Sequence, residues 1–257
     1  MNGKTKMLKL QDISNHIPKK NNMLIYWLGG GGFVFKFSDK TTICIDPYLS
    51  NSVERLFGFK RLIQPPITPE ALKYDALLVT HEHGDHLDID IFETLVKKNP
   101  KSKTFTVKSC KDFVDGYTSN YIIVEPGKTY DAGMIKIEPV PADHGELSPD
   151  AVGFMLYFAN RKIYFTGDTS LNYEKMDYAI SLKPDILIPC INGAYGNMNE
   201  MEAAVLAEKC NSKIVIPSHY GLFKEHGGNA ELFRDNILKI SPDSNCIILG
   251  LGEGAES

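Results

Sequence analysis

The chain has 257 residues, 43% of them hydrophobic, and a formal charge of -4. That apolar supply is enough for a sizeable core, in one large domain or two small ones, while the mildly acidic balance argues against a broad phosphate-binding face for nucleic acid. Five cysteines at long intervals and without CxxC pairs fit reduced thiols. The start lacks the apolar region of a signal peptide and no run of about 18 apolar residues follows, so the expectation is a cytoplasmic, non-membrane protein acting on a small molecule.

Along the chain, short β-branched and aromatic runs predict strands at Met23–Leu28, Phe33–Phe37, Thr41–Ile45, Ala76–Val79, Ile135–Val140, Gly153–Phe158 and Lys162–Phe165. Helical spacing marks Ile89–Lys98, Leu171–Leu182, Asn199–Cys210 and Ala230–Ile240, the third opened by an Asn199 cap with Glu202 three residues on. The C-terminal half alternates these helices with strands at Ile186–Ile188, Ile214–Ile216 and Ile247–Leu249. Mixed sheets with helices outside them, in one domain over residues 21–257 after an N-terminal extension (1–20), is the economical arrangement. Gly29–Gly32 fits no dinucleotide or phosphate-loop pattern and predicts a tight hairpin. Ser50–Thr68 is a long irregular connection carrying Arg55, Lys60 and Arg61, of the kind that often carries function.

The run Thr80-His81-Glu82-His83-Gly84-Asp85-His86 packs three histidines and two carboxylates into seven residues directly after an apolar strand. His81 and His83 are two apart, so in extended backbone their imidazoles point to one side and can share a cation. Gly84 permits a bend that turns Asp85 and His86 inward toward a second. Imidazole with carboxylate suits zinc, manganese, iron or nickel. Three further residues, His144, Asp168 and His219, each follow an apparent strand end, where ligands from several strands converge on one sheet edge.

HEHGDH, followed at these intervals by His144, by Thr-Gly-Asp168 and by His219, resembles the metallo-β-lactamase superfamily of dinuclear hydrolases over Met23 to about Leu249. The resemblance implies a four-layer αββα sandwich in a single domain. It also implies that His81, His83 and His144 hold one metal, that Asp85, His86 and His219 hold the other, and that Asp168 bridges them. Tyr26-Trp27-Leu28-Gly29, Cys44-Ile45-Asp46-Pro47, Thr169-Ser170-Leu171-Asn172-Tyr173 and Pro217-Ser218-His219-Tyr220 look like the branch of the L-ascorbate-6-phosphate lactonases. Against that branch, the chain is shorter at both ends and brief between His144 and Gly153, and it keeps histidine at 144 where the lactonases can carry aspartate.

Two such cations, manganese or zinc with iron or nickel as alternatives, can share a water and lower its pKa from about 15.7 toward about 7, giving a hydroxide nucleophile at neutral pH. Asp85 and Asp168 are the expected catalytic carboxylates, and Asp46 and Glu82 are candidates to hold the free ring nitrogens of the histidines. Arg55, Lys60, Arg61, Tyr195, Tyr220, Lys224 and His226 are candidates to meet an anionic substrate, with Arg61, Tyr195, Tyr220 and His226 foremost. The leading expectation is hydrolysis of a small anionic sugar lactone or ester, by a chain that can also form a homo-oligomer. A phosphodiesterase or ribonuclease of the same superfamily is the runner-up. A metal-binding scaffold without catalysis is the reading from another class, and a missing ligand would have favoured it.

Overall fold

A computed structural model describes residues 8–10, 13 and 15–257. The first sheet takes its strands from β1 (Leu8–Lys9), β2 (Met23–Gly29), β3 (Gly32–Phe37), β4 (Thr42–Ile45), β5 (Ala76–Leu78), β6 (Lys103–Thr106), β7 (Tyr121–Ile123) and, from the far end of the chain, β15 (Glu253–Glu256). Their order across the sheet is β1-β15-β2-β3-β4-β5-β6-β7. The second sheet is built from β8 (Tyr130–Ala132), β9 (Ile135–Pro141), β10 (Val152–Phe158), β11 (Arg161–Phe165), β12 (Ile186–Ile188), β13 (Ile214–Val215) and β14 (Asn245–Cys246). Both sheets are mixed: antiparallel hairpins pass into parallel strands at the β4–β5 pair of the first and the β11–β12 pair of the second.

The helices are α1 (Ser52–Phe57), α2 (Phe92–Lys98), α3 (Lys111–Asp115), α4 (Tyr173–Ser181), α5 (Glu200–Cys210) and α6 (Ala230–Ile240). Alternation along the strands decides the layering. On β3, Phe33 and Phe37 face the second sheet, with Phe33 5.8 Å from Phe165 and Phe37 4.9 Å from Phe158 between ring centroids. On β11, Tyr164 points the other way, into a separate apolar cluster with Met176 of α4, Leu206 of α5 and Phe233 of α6. The α5 start is the capping box that Asn199 and Glu202 predict.

The single-domain two-sheet reading holds, and the differences from expectation are local. Ile247–Leu249 is not a strand; the chain pairs two residues earlier, at Asn245–Cys246, where it runs parallel to Ile214 and Val215. Two described residues of the segment before 21 enter the first sheet as β1, which pairs with β15. The glycine run is the β2–β3 hairpin. At Gly31 a Cβ would lie 3.0 Å from the His86 ring, a close contact that would press on that ring.

Candidate metal centre

Antiparallel pairing of β9 with β10 and of β10 with β11 makes β9 and β11 run the same way, and β12 and β13 follow β11 in parallel. Their C-terminal ends therefore share one sheet edge, and His144, Asp168 and His219 emerge just past three of them. From the first sheet, β4 delivers Asp46 and β5 delivers the His81–His86 run. Sheet direction thus gathers segments more than a hundred residues apart.

Two clusters of ligand atoms result, His81–His83–His144 and Asp85–His86–His219, with Asp168 joining His81 and His86 in a third overlapping set. In the first, His81 Nε2 is 3.0 Å from His83 Nδ1, and His144 Nε2 is 3.3 Å from the same atom. Two imidazole nitrogens on one tetrahedral zinc stand about 3.3 Å apart, so these separations suit a shared cation. In the second, His86 Nε2 and His219 Nε2 are 3.1 Å apart, and Asp85 Oδ2 is 3.2 Å from His219 Nε2. Asp168 lies between the clusters, with Oδ1 3.3 Å from His219 Nε2 and Oδ2 4.0 Å from His144 Nε2. Its Oδ1 is buried without a hydrogen-bond partner, a state that costs free energy unless a ligand compensates. These donors fit a pair of divalent transition metals.

Around the ligands sits a layer that orients them. Asp46 Oδ2 is 2.8 Å from His86 Nδ1 and takes the Thr80 hydroxyl proton at 2.6 Å, while Asp46 Oδ1 accepts the Thr80 N–H. The Thr80 hydroxyl also lies 2.9 Å from His81 Nδ1. One buried carboxylate thereby aims the Nε2 of two histidines of the same run, His86 directly and His81 through the Thr80 hydroxyl. Asn197 donates to Asp168 Oδ2 at 2.7 Å, and the Leu147 carbonyl faces His83 Nε2 at 3.2 Å. The Gly30 carbonyl accepts the His219 N–H at 2.8 Å. Asp46 and His219 hold positive φ, 45° and 58°, a conformation uncommon away from glycine and frequent where a site over-determines the backbone.

Residues 24–219 match the beta-lactamase superfamily domain. The chain belongs to the metallo-β-lactamase superfamily of metal-dependent hydrolases. Among relatives of this superfamily, a UPF0173 metal-dependent hydrolase of Archaeoglobus fulgidus is 28% identical, over 91% of this chain and 99% of its own. A metallo-hydrolase structure from Ignicoccus hospitalis superposes with a TM-score of 0.73 at 20% identity, covering 92% of this chain and 98% of the other. An isothiocyanate hydrolase structure from Delia radicum gut bacteria gives the same score and identity over 90% and 98%. At such identities the structures share the fold.

The superfamily's metal edge is strongly polarised here. Burial alone would raise Asp85 and Asp168, yet the surrounding histidines, His86 and His219 foremost, hold both carboxyls well below the usual range. The same carboxylates, with Asp46, outweigh burial at His86 and lift its pKa well above that of free imidazole, and His219 is raised likewise by Asp168 and Asp85. His81 and His144 are instead lowered, by burial first. The carboxylates thus favour positive charge at the place where the two clusters meet, which is where a cation would sit.

Above the centre opens a cavity of about 440 Å³ lined by ligands and by Val53, Phe57, Phe59, Leu147, Tyr195 and His226. Tyr195 and His226 are the two foremost anion-meeting candidates that reach it. His226 stacks on His219 at 4.9 Å and 14° and stands edge-on to Phe59 and Phe223; burial pushes its pKa down to about 4.

Arg61 and Tyr220 do not line this cavity. The Arg61 guanidinium donates to the carbonyls of Tyr48, Ser50 and Ile63 and packs over the Tyr48 ring, riveting the 48–63 loop. Tyr220 stacks on Trp27 at 4.7 Å and packs against both main apolar clusters. Arg55 is paired with Asp90, and Lys60 and Lys224 do not line the cavity. Glu82 touches no ligand ring nitrogen; it accepts from the Ser109 and Ser148 hydroxyls and ties the histidine run to two loops. Sequence reasoning missed Thr80, Asn197, Phe57, Phe59 and Leu147. Only the two phenylalanines carried a signal, as apolar residues in a long irregular loop.

Proposed function

We propose that the chain is a dinuclear hydrolase of small-molecule carboxylic esters or lactones. The observation that carries this reading is the pair of three-donor clusters sharing Asp168. His81, His83 and His144 would hold one metal and Asp85, His86 and His219 the other. Bound there, the pair would supply Lewis acidity and lower the pKa of a water from about 15.7 toward about 7. The chain's own groups do the rest. Asp85 stands at the cavity floor, where its carboxylate can orient a water by accepting its hydrogen bond. Asp46 and Thr80 keep His86 and His81 from rotating, and Asn197 fixes the face that Asp168 presents. A substrate seated against the walls would displace solvent from the reacting bond, which would strengthen the charge interactions at the floor.

The test is metal content by mass spectrometry together with hydrolysis of ethyl phenylacetate, before and after chelation and in Asp168→Ala. Two equivalents of metal are expected in the native protein. Chelation and the substitution should each remove metal and reduce turnover at least about a hundredfold. Full turnover in either metal-poor protein would overturn the reading, and turnover of bis-aryl phosphodiesters with inert carboxylic esters would move it to the phosphodiesterases.

A further inference from the structure

Resting on the hydrolase reading, we infer that the group flanking the scissile bond is uncharged and apolar, an aryl or alkyl body rather than a phosphorylated or carboxylated one. The cavity walls decide this. Val53 and Phe57 on α1, Phe59 just beyond it, Leu147 after β9 and Tyr195 before α5 surround the floor. Phe57, Leu147 and Tyr195 are 62%, 53% and 48% exposed. Large apolar side chains left open around a concave site full of polar ligands mark a surface completed by a bound molecule. Phe59, Tyr195 and His226 form a continuous aromatic series, with centroids 6.2 Å apart for Phe59–Tyr195 and 5.7 Å for Tyr195–His226. His226 in turn stacks on His219, so the series runs from the mouth to the ligands and can meet a planar or aliphatic body along its length.

Charge argues the same way. A phosphate or carboxylate on the body of the substrate, away from the reacting bond, needs a cation or several donors to replace its water. Among the described residues, no lysine or arginine lines the cavity. The basic side chain that the sequence favoured, Arg61, turns its Nε and Nη1 to backbone carbonyls and lies outside the lining. The charged side chains in the lining besides the histidines are Glu82, Asp85 and Asp168, all acidic. Only the metal floor would attract an anion, and the reacting group itself occupies it.

The experiment compares ethyl phenylacetate with ethyl 4-sulfophenylacetate, which share a leaving group and differ by a charge remote from the bond. With metal-loaded wild-type protein, kcat/KM for the neutral ester should exceed that for the sulfonate at least about tenfold. Phe59→Ala should lower the neutral value about tenfold, mostly through KM, and leave the sulfonate within about threefold. Equal or better turnover of the sulfonate would overturn the inference while leaving the hydrolase reading intact. If neither ester is hydrolysed, the hydrolase reading is in question, and calorimetric binding of phenylacetamide and 4-sulfophenylacetamide to the metal-loaded protein still judges the wall. Tighter binding of the neutral amide, lost in Phe59→Ala, supports it, and tighter binding of the sulfonate refutes it.

Discussion

On the floor of the cavity three ligands are each held by a buried partner: His86 by Asp46, His81 by Thr80 and Asp168 by Asn197. On the wall, Phe57, Leu147 and Tyr195 stand open to solvent, and Phe59 and Tyr195 meet other rings edge-on or tilted. The floor comes from strand ends, whose positions the ladder hydrogen bonds fix, while the wall comes from a short helix and the loops between elements. Chemistry that must place atoms to a fraction of an ångström is thus on the rigid part, and selection among substrates is on the part that can change without disturbing it.

Asp46→Asn tests the floor most severely. The amide keeps the shape of the carboxylate but cannot accept from His86 and from both Thr80 donors at once. We expect metal affinity to fall about ten- to a hundredfold, as for other groups that orient a metal-bound histidine. Because the floor is common to all substrates, neutral and charged esters should lose kcat in the same proportion. A change in the neutral-to-sulfonate ratio would show that floor and wall are not separable. Metal titration followed by kinetics on both esters reads the two quantities.

Asn197→Ala removes one donor from Asp168 and leaves its histidine neighbours in place, so the expected loss is at the lower end of that range, about tenfold in metal affinity. Stoichiometry read during the titration separates a positioning role from general loosening. Preferential loss of one of the two equivalents marks the shared carboxylate as misplaced, whereas an equal loss of both with a lowered melting temperature would mean that Asn197 merely stabilises the 192–198 loop.

The same division decides how much of the molecule is legible in its sequence. His81 to His86 are adjacent along the chain, and His144, Asp168 and His219 follow apolar strands, so short-range spacing and strand ends carry the floor. The wall has no such period. Val53, Phe57, Phe59, Leu147, Tyr195 and His226 are separated by up to 173 residues and meet only because the two sheets share an edge. In the long 50–68 loop, composition draws notice to Arg55, Lys60 and Arg61. A loop's basic residues, however, are as often consumed by its own carbonyls, as Arg61 is, and the neighbouring phenylalanines are the ones facing the cavity. At Ile247–Leu249, three apolar residues resemble a strand, but ladder register with β13 selects the more polar pair before them, a tertiary preference that local propensity does not carry.

Asp143 offers the smallest and most local test of the floor's rigidity. It lies beside His144 and ties the end of β9 to the loop after β11. Its N–H donates to Thr169 Oγ1 at 2.8 Å, its carbonyl accepts the Ser170 N–H, and its carboxylate takes Lys175, Asn172 and Ser170. The Lys175 ammonium first, then the Asn172 amide, lowers its pKa to about 2, against about 3.9 in an unfolded chain. A depressed folded-state pKa contributes stability that is fully present above the unfolded value and is lost as pH falls through the folded one. With Lys175 43% exposed, solvent screening limits that contribution to about 1 kcal/mol. In urea unfolding of the metal-free protein, wild type should therefore exceed Asp143→Asn by about that amount above pH 5, and the gap should close between about pH 4 and pH 2. A gap that persists at pH 2 would assign the effect to the hydrogen-bond geometry of the carboxamide rather than to charge. Since the backbone tie to Ser170 survives the substitution, metal affinity at neutral pH should move by no more than about threefold; a larger drop would show that the strand-end frame is softer than its ladders imply.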